Sequence, residues 1–169
     1  MVNVLRIGHA SQTVKSTSPR RAVRAVGVRD GKVLMLRSDP AGDFKFPGGG
    51  VEEGETDEET LRREVAEECG ATVGWVNAPV LEIVETRPDA FHEDVDFQMV
   101  SVYVPCSIDD PSRPQRLSDH ELALGLTPVW VDPAHVLAVH EGLLSSGAAA
   151  PWVSRETHAL RWLVQAKVL

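Results

Sequence analysis

Cysteine is scarce in this sequence: Cys69 and Cys106 are the only two among 169 residues. A small secreted fold stapled by several disulfides is therefore excluded, and two free thiols in a reducing cytosol are the expected state. Long hydrophobic runs are missing as well. No stretch approaches the roughly 18 apolar residues needed to cross a bilayer. The amino terminus, MVNVLRIGHASQTVKSTSPRR, has no long apolar core behind a basic start, so no signal peptide is expected and the expected location is cytoplasmic. Positive charge is the third shortage. Lys and Arg number 17 against 25 Asp and Glu, a net charge of −8. Such a balance argues against binding long nucleic acids, which require a basic surface. A small phosphorylated ligand is still admissible, because a divalent cation can bridge acidic side chains to phosphate oxygens.

What is present suits one folded unit, with 43% hydrophobic and 25% charged residues and enough length for its own core. Residues 1–19 read as an arm: a short first strand, Val2 to Ile7, then a polar linker reaching Arg20. Residues 20–169 read as the single main domain. RAVRAVGV and VLMLRS flank Arg29-Asp30-Gly31-Lys32, which predicts a β-hairpin with an Asp-Gly turn. A second turn, Asp39 to Asp43, leads into the glycine-rich FKFPGGGVEEGE. Thr56-Asp57-Glu58-Glu59 has the form of a capping box, and Gly70 supplies the stop of the helix it opens. Within that helix Leu61, Val65 and Cys69 form a stripe to bury against a sheet. VLEIVETR and FQMVSVYVPCSI read as strands around the polar loop PDAFHEDVD, and Trp130-Val131 closes another. Asp132-Pro133 gives an N-cap and a first-turn proline for a helix to about Leu144. A last helix, Ser154 to Ala166, turns Ala159, Leu160 and Leu163 inward. Strands interleaved with two or three helices predict a layered α/β (α+β) sandwich.

Acidic residues crowd one place. Glu64, Glu67 and Glu68 stand at i, i+3 and i+4, so they share one sector of the helix beside the Leu61–Val65–Cys69 stripe. Like charges so spaced repel by about 0.2–0.5 kcal/mol per pair on an exposed helix, and more when desolvated. A hard cation such as Mg²⁺, which prefers oxygen ligands, removes that cost. A solvated acidic face is the other reading of the helix taken alone. Arg63, beside Glu64 and four residues before Glu67, is placed to orient a carboxylate.

The stretch Gly49 to Ala71, GGVEEGETDEETLRREVAEECGA, decides between them. It resembles the Nudix box, GX5EX7REUXEEXGU with U aliphatic, through Gly49, Glu55, Arg63, Glu64, Val65, Glu67, Glu68 and Gly70. Ala71 departs from the pattern only in size, where a larger aliphatic is usual. The FPGGG lead-in, the preceding hairpin and the closing strand and helix are also similar to a Nudix domain over residues 20–169.

The resemblance implies an α/β/α sandwich around a central mixed β-sheet. It implies an enzyme that cleaves the diphosphate linkage of a nucleoside diphosphate derivative with Mg²⁺ or Mn²⁺. Glu64, Glu67, Glu68 and the Gly49 carbonyl are the implied metal ligands, with Arg63 holding Glu64. Gly48 and Gly50 would allow close backbone approach, and Glu55 would support the arrangement. The general base is implied either in the box or on a downstream loop, where Glu121 is the candidate and His120 the runner-up. Glu93, Asp94 and Asp96 form a second acidic patch, read as a solvated loop or a further metal ligand set. Arg24, Lys45 and Trp152 are candidates to meet substrate. The six histidines show no metal-ligand spacing. ADP-ribose or nucleotide sugars and (d)NTPs both stay open as substrates. Pro88, seventeen residues after Ala71, is near the proline of ADP-ribose-selective families without matching it. The alternatives are a catalytically inactive Nudix-like binding module and a prenyl diphosphate isomerase, whose extra cysteine could only be Cys106. A homodimer is the family's usual habit.

Overall fold

A computed structural model describes residues 2–8, 16–88 and 95–169. The chain order is β1 (Asn3–Gly8), β2 (Ser16–Val26), β3 (Val28–Arg29), β4 (Lys32–Arg37), β5 (Phe44–Lys45), α1 (Asp57–Cys69) and β6 (Val73–Val76). It continues with β7 (Leu81–Pro88), β8 (Val95–Ile108), α2 (Asp119–Ala123), β9 (Thr127–Val131), α3 (Pro133–Ser146) and α4 (Val153–Gln165). Among the described residues no helix is long and apolar enough to cross a membrane.

Strand β8 is the spine. It pairs in parallel with β2 on one side, and antiparallel with β7 and β6 on the other. Strand β1 adds in parallel to β7, giving a mixed five-stranded sheet. A second sheet of four strands forms around β4, which pairs antiparallel with β3, β5 and β9. The β3–β4 connection is the expected Asp-Gly turn: Arg29 faces Lys32, and Asp30 and Gly31 have φ of 50° and 73°. Positive φ at both central residues matches the twist of a two-residue hairpin.

Two hydrophobic clusters cover opposite faces. Leu61, Val65 and Cys69 of α1 pack with Val23, Val102 and Val104 in one. Ala159, Leu160 and Leu163 of α4 and Val136 of α3 pack with Phe46, Ile83 and Tyr103 in the other. The architecture is thus a mixed α+β sandwich with helices on both sides, as the alternation of elements predicts. Ala71, the small residue of the box, is 4% exposed within the α1 cluster, a packing position.

Local signals explain the helix ends. The Thr56 hydroxyl accepts from the Glu59 amide at 3.2 Å, and Glu59 accepts from the Thr56 amide at 2.8 Å. Gly70 closes α1 in the left-handed region. The Asp132 carboxylate caps α3 by accepting from the Ala134 amide at 2.7 Å. Strand β1 lies one residue later than its sequence reading. Strand β2 begins at Ser16, inside the stretch read as linker, because β8 is long enough to pair with it from Val95 onward. Strand β6 has no counterpart in the sequence reading, and the short helix α2 forms where a downstream loop is expected. Of the second acidic patch, Glu93 and Asp94 lie outside the described residues, whereas Asp96 is buried in β8.

Candidate active site

The glycine loop is laid along β2 by backbone hydrogen bonds. Val23 donates to the Gly49 carbonyl at 2.9 Å, Ala25 to Pro47 at 2.8 Å, and Val51 to Arg21 at 3.0 Å. The loop then lies against α1 so closely that a Cβ at Gly49 would stand 2.3 Å from Glu64 Oε1. Any side chain there would displace the carboxylate, which accounts for glycine at this position.

Arg63 organises the carboxylates around it. Its Nε and Nη2 donate to the two oxygens of Glu55 at 2.7 and 2.8 Å, a bidentate pair. Nη1 donates to Glu64 at 2.6 Å and stands 3.5 Å from Glu67, and Nη2 also donates to the Gly50 carbonyl at 3.2 Å. The Arg63 guanidinium, with Thr60 Oγ1 and the Glu52 amide, pulls the Glu55 carboxyl down to about 2. Glu68 is far more buried than a solvated acidic face allows, at 1% exposure. One of its oxygens accepts from Lys45 Nζ at 2.8 Å and the other from the Gly48 amide at 2.6 Å. Burial pushes its carboxyl upward against the pull of those two donors.

Among the described residues no three carboxylate, imidazole or thiolate groups already converge on one point as a metal cage. Glu64 is turned to Arg63, and Glu68 to Lys45 and Gly48. The donor chemistry nonetheless fits a hard divalent ion. Glu64 and Glu67 project from adjacent turns of α1, and Glu64 is in contact with the loop that carries the Gly49 carbonyl.

Beside this cluster lies a cavity of about 300 Å³. Its floor is one face of three neighbouring strands, as register dictates. Arg87 faces Phe97 and Glu85 faces Met99 across β7 and β8; Met99 in turn faces Arg20 of β2, and Arg24 lies four residues on. Ser118, His120 and Glu121 line one wall, and Trp152 and Arg155 of the α4 region another. All three substrate candidates, Arg24, Lys45 and Trp152, and both general-base candidates therefore line one cavity. Lys45 joins it to the carboxylate cluster, because it also holds Glu68.

Glu121 belongs to helix α2 rather than to a loop. Its Oε2 accepts from the Ser118 amide and hydroxyl, both at 2.8 Å. Burial works to raise this carboxyl, and the Ser118 donors, the Lys45 ammonium and a contact with Glu68 together outweigh it, leaving it below its ordinary value. Arg24 donates to the Gly48 carbonyl, while its buried Nε has no partner among the described residues. Burial, together with the nearby Arg155, lowers its pKa. The Trp152 indole N–H is likewise buried, close enough to Asp43 to draw that carboxyl downward against the upward push of burial.

Sequence reading did not find Arg20, Glu85, Arg87, Phe97 or Arg155. Arg155 sits in α4 at 6% exposure, held by Glu156 at 2.7 Å and Glu85 at 3.2 Å. The charged pair Arg155-Glu156 in the first turn of an otherwise apolar-faced helix was the available signal. Arg87 stacks over the Phe97 ring at 4.6 Å, a cation–π contact on the cavity floor. His140 is a core histidine: its Nε2 accepts from the Phe44 amide at 3.1 Å, so Nδ1 carries the proton and faces Thr157 Oγ1 at 3.1 Å.

The family model described as NUDIX domain matches residues 18–163. This chain belongs to the Nudix family. It is 44% identical over 54 residues to the nucleoside triphosphatase NudI of Enterobacter sp. (strain 638), covering 32% of this chain and 33% of that protein. It is 47% identical over 58 residues to the CTP pyrophosphohydrolase of Escherichia coli (strain K12), covering 31% of this chain and 43% of that one. The matches thus span less than half of either curated relative. In fold it resembles a NUDIX hydrolase from Nitrosomonas europaea, with a TM-score of 0.51 at 20% identity over 84% of this chain and 90% of that one.

Proposed function

We propose that this Nudix protein is a divalent-metal-dependent pyrophosphohydrolase, with Mg²⁺ the first choice and Mn²⁺ the second. Its substrate is a nucleoside diphosphate derivative. The carrying observation is one side chain: Lys45 lines a cation-rich cavity and touches Glu68 of the acidic cluster at 2.8 Å. A phosphate chain bound by the cavity would therefore end at the carboxylates. In a protein of net charge −8, the gathering of Arg20, Arg24, Lys45, Arg87 and Arg155 at one cavity supports a ligand with several phosphates. It favours a (d)NTP over ADP-ribose or a nucleotide sugar, in keeping with the names of the two curated relatives.

Glu64, Glu67 and Glu68, with the Gly49 carbonyl, would hold the metal, which when bound supplies Lewis-acid stabilisation of the phosphate oxygens. Arg63 keeps Glu64 and Glu67 facing one side of α1, and Glu55 keeps Arg63 in place. Arg24 and Lys45 bind the phosphates and offset charge that builds on the leaving group. Glu121 takes the proton from the attacking water, its carboxylate kept ionised by Ser118. Trp152 offers an aromatic face to the base. Cys106 carries no isomerase chemistry, because it is 1% exposed and its thiol is pushed up to about 12 by burial.

The test is product-resolved hydrolysis of (d)NTPs, ADP-ribose, nucleotide sugars and dinucleoside polyphosphates, with Mg²⁺ or Mn²⁺ and with chelator. Metal-dependent cleavage of a diphosphate bond is expected. No turnover across the panel, combined with metal-independent nucleotide binding, would instead identify an inactive binding module.

A further inference from the structure

Strand β2 places Arg20, Ala22 and Arg24 on one face and Arg21 and Val23 on the other, because side chains alternate along a strand. The second face is committed to the protein. Arg21 pairs with Asp57 at 2.5 Å and Glu82 at 3.7 Å, and Val23 is in the core. On the first face Arg24 reaches the Gly48 carbonyl. Arg20 differs from these arginines. Its guanidinium is exposed, lines the cavity, and makes no hydrogen bond or ion pair among the described residues.

The position of that guanidinium is nevertheless defined. A Cβ built on Gly50 would lie 2.9 Å from Arg20 Nη2, 3.1 Å from Nε and 3.4 Å from Cζ. Arg20 therefore occupies the space that a side chain at residue 50 would fill. Gly50 itself is fixed, bridged to Ala22 of β2 and held through its carbonyl by Arg63 at 3.2 Å. Two guanidiniums from one face of β2 thus bracket the glycine loop, Arg24 at Gly48 and Arg20 at Gly50. Between them Gly49 contacts Glu64. A planar donor fork with no partner among the described residues, set beside carboxylates that would hold a metal, is matched to a phosphate group.

We propose that Arg20 is a phosphate-binding residue of this site and that Gly50 is its seat, the missing side chain letting the guanidinium rest on the loop. This rests on the polyphosphate reading above. It gives residue 50 a role beyond close backbone approach. The backbone at Gly50 is not in the left-handed region, and the atoms an added Cβ would meet are the far end of one flexible side chain. Gly50→Ala should consequently move Arg20 without straining the loop.

The experiment measures binding of the α,β-methylene analogue of CTP, and of CMP, to Mg²⁺-loaded protein by calorimetry, alongside kcat and KM for CTP. Proteins are the wild type, Arg20→Ala, Arg20→Lys, Gly50→Ala and the Arg20→Ala/Gly50→Ala double variant. Arg20→Ala should weaken the triphosphate analogue about 10- to 100-fold, the range for lost charge-assisted hydrogen bonds. CMP binding should change less, KM should rise more than kcat falls, and Arg20→Lys should recover part of the loss. Gly50→Ala should weaken binding in the wild-type background and add nothing in the Arg20→Ala background. Wild-type affinity in Arg20→Ala, or equal effects of Gly50→Ala in both backgrounds, overturns this assignment while leaving the polyphosphate reading intact. A wild-type protein that binds no triphosphate overturns both.

Discussion

Lys45 Nζ and Glu68 Oε1 meet at 2.8 Å, with the two side chains 15% and 1% exposed. An ammonium already neutralises the most buried of the three clustered carboxylates. Breaking this pair leaves a desolvated negative charge with the Gly48 amide as its remaining N–H donor among the described residues. Lys45→Met should therefore cost about 2–3 kcal/mol of stability. Urea unfolding checks this, and Lys45→Met/Glu68→Met should be more stable than the single Lys45 variant.

Arg63 forms a bidentate pair with Glu55 while donating to Glu64. A lysine cannot reproduce that planar fork. Arg63→Lys and Arg63→Ala are both expected to lose about 10- to 100-fold in metal affinity, the usual effect of removing a partner that orients ligands. Mn²⁺ binding followed by electron paramagnetic resonance would read it directly. Equal affinity in wild type and Arg63→Lys would remove Arg63 from this role.

Glutamine fits the capping box as well as glutamate does. Glu121→Gln should consequently leave the melting temperature close to wild type. The same change removes a proton acceptor, so kcat should fall by roughly 10²–10⁴. Full activity in Glu121→Gln would return the base to the box carboxylates.

Glu64→Gln and Glu67→Gln should each lower turnover by about 10²-fold or more, as expected when metal stabilisation of the phosphates is lost, with circular dichroism unchanged. Wild-type turnover in both would refute the proposed ligand set.

His140 is buried against the Phe44 amide and Thr157, and burial lowers its pKa despite the nearby Glu156. Unfolding frees it to titrate near its ordinary value. The unfolded state then binds more protons as the pH drops below about 6.5. The stability this histidine contributes is complete above that value and is lost as pH falls through the lower folded-state pKa. Urea unfolding between pH 7.5 and 5 should show a shallower decline in His140→Gln than in wild type.

Local chemistry wrote much of this protein into its sequence. The Thr56–Glu59 box, the Gly70 stop, the Asp30-Gly31 turn and the Asp132 cap each depend on residues a few positions apart. The acidic residues of the box stand at spacings that one helix turns to one side, so they too were legible. Other features depend on strand pairing. Arg87, Phe97, Met99 and Arg20 share a cavity floor only because β7, β8 and β2 meet in one register. A single-residue slip would turn each to the other face. The same register brings Arg20 over Gly50, thirty residues away in sequence. Burial likewise was decided in three dimensions: Glu68 and Arg155 have the composition of surface residues, and only packing supplied the partners that hold their charges inside.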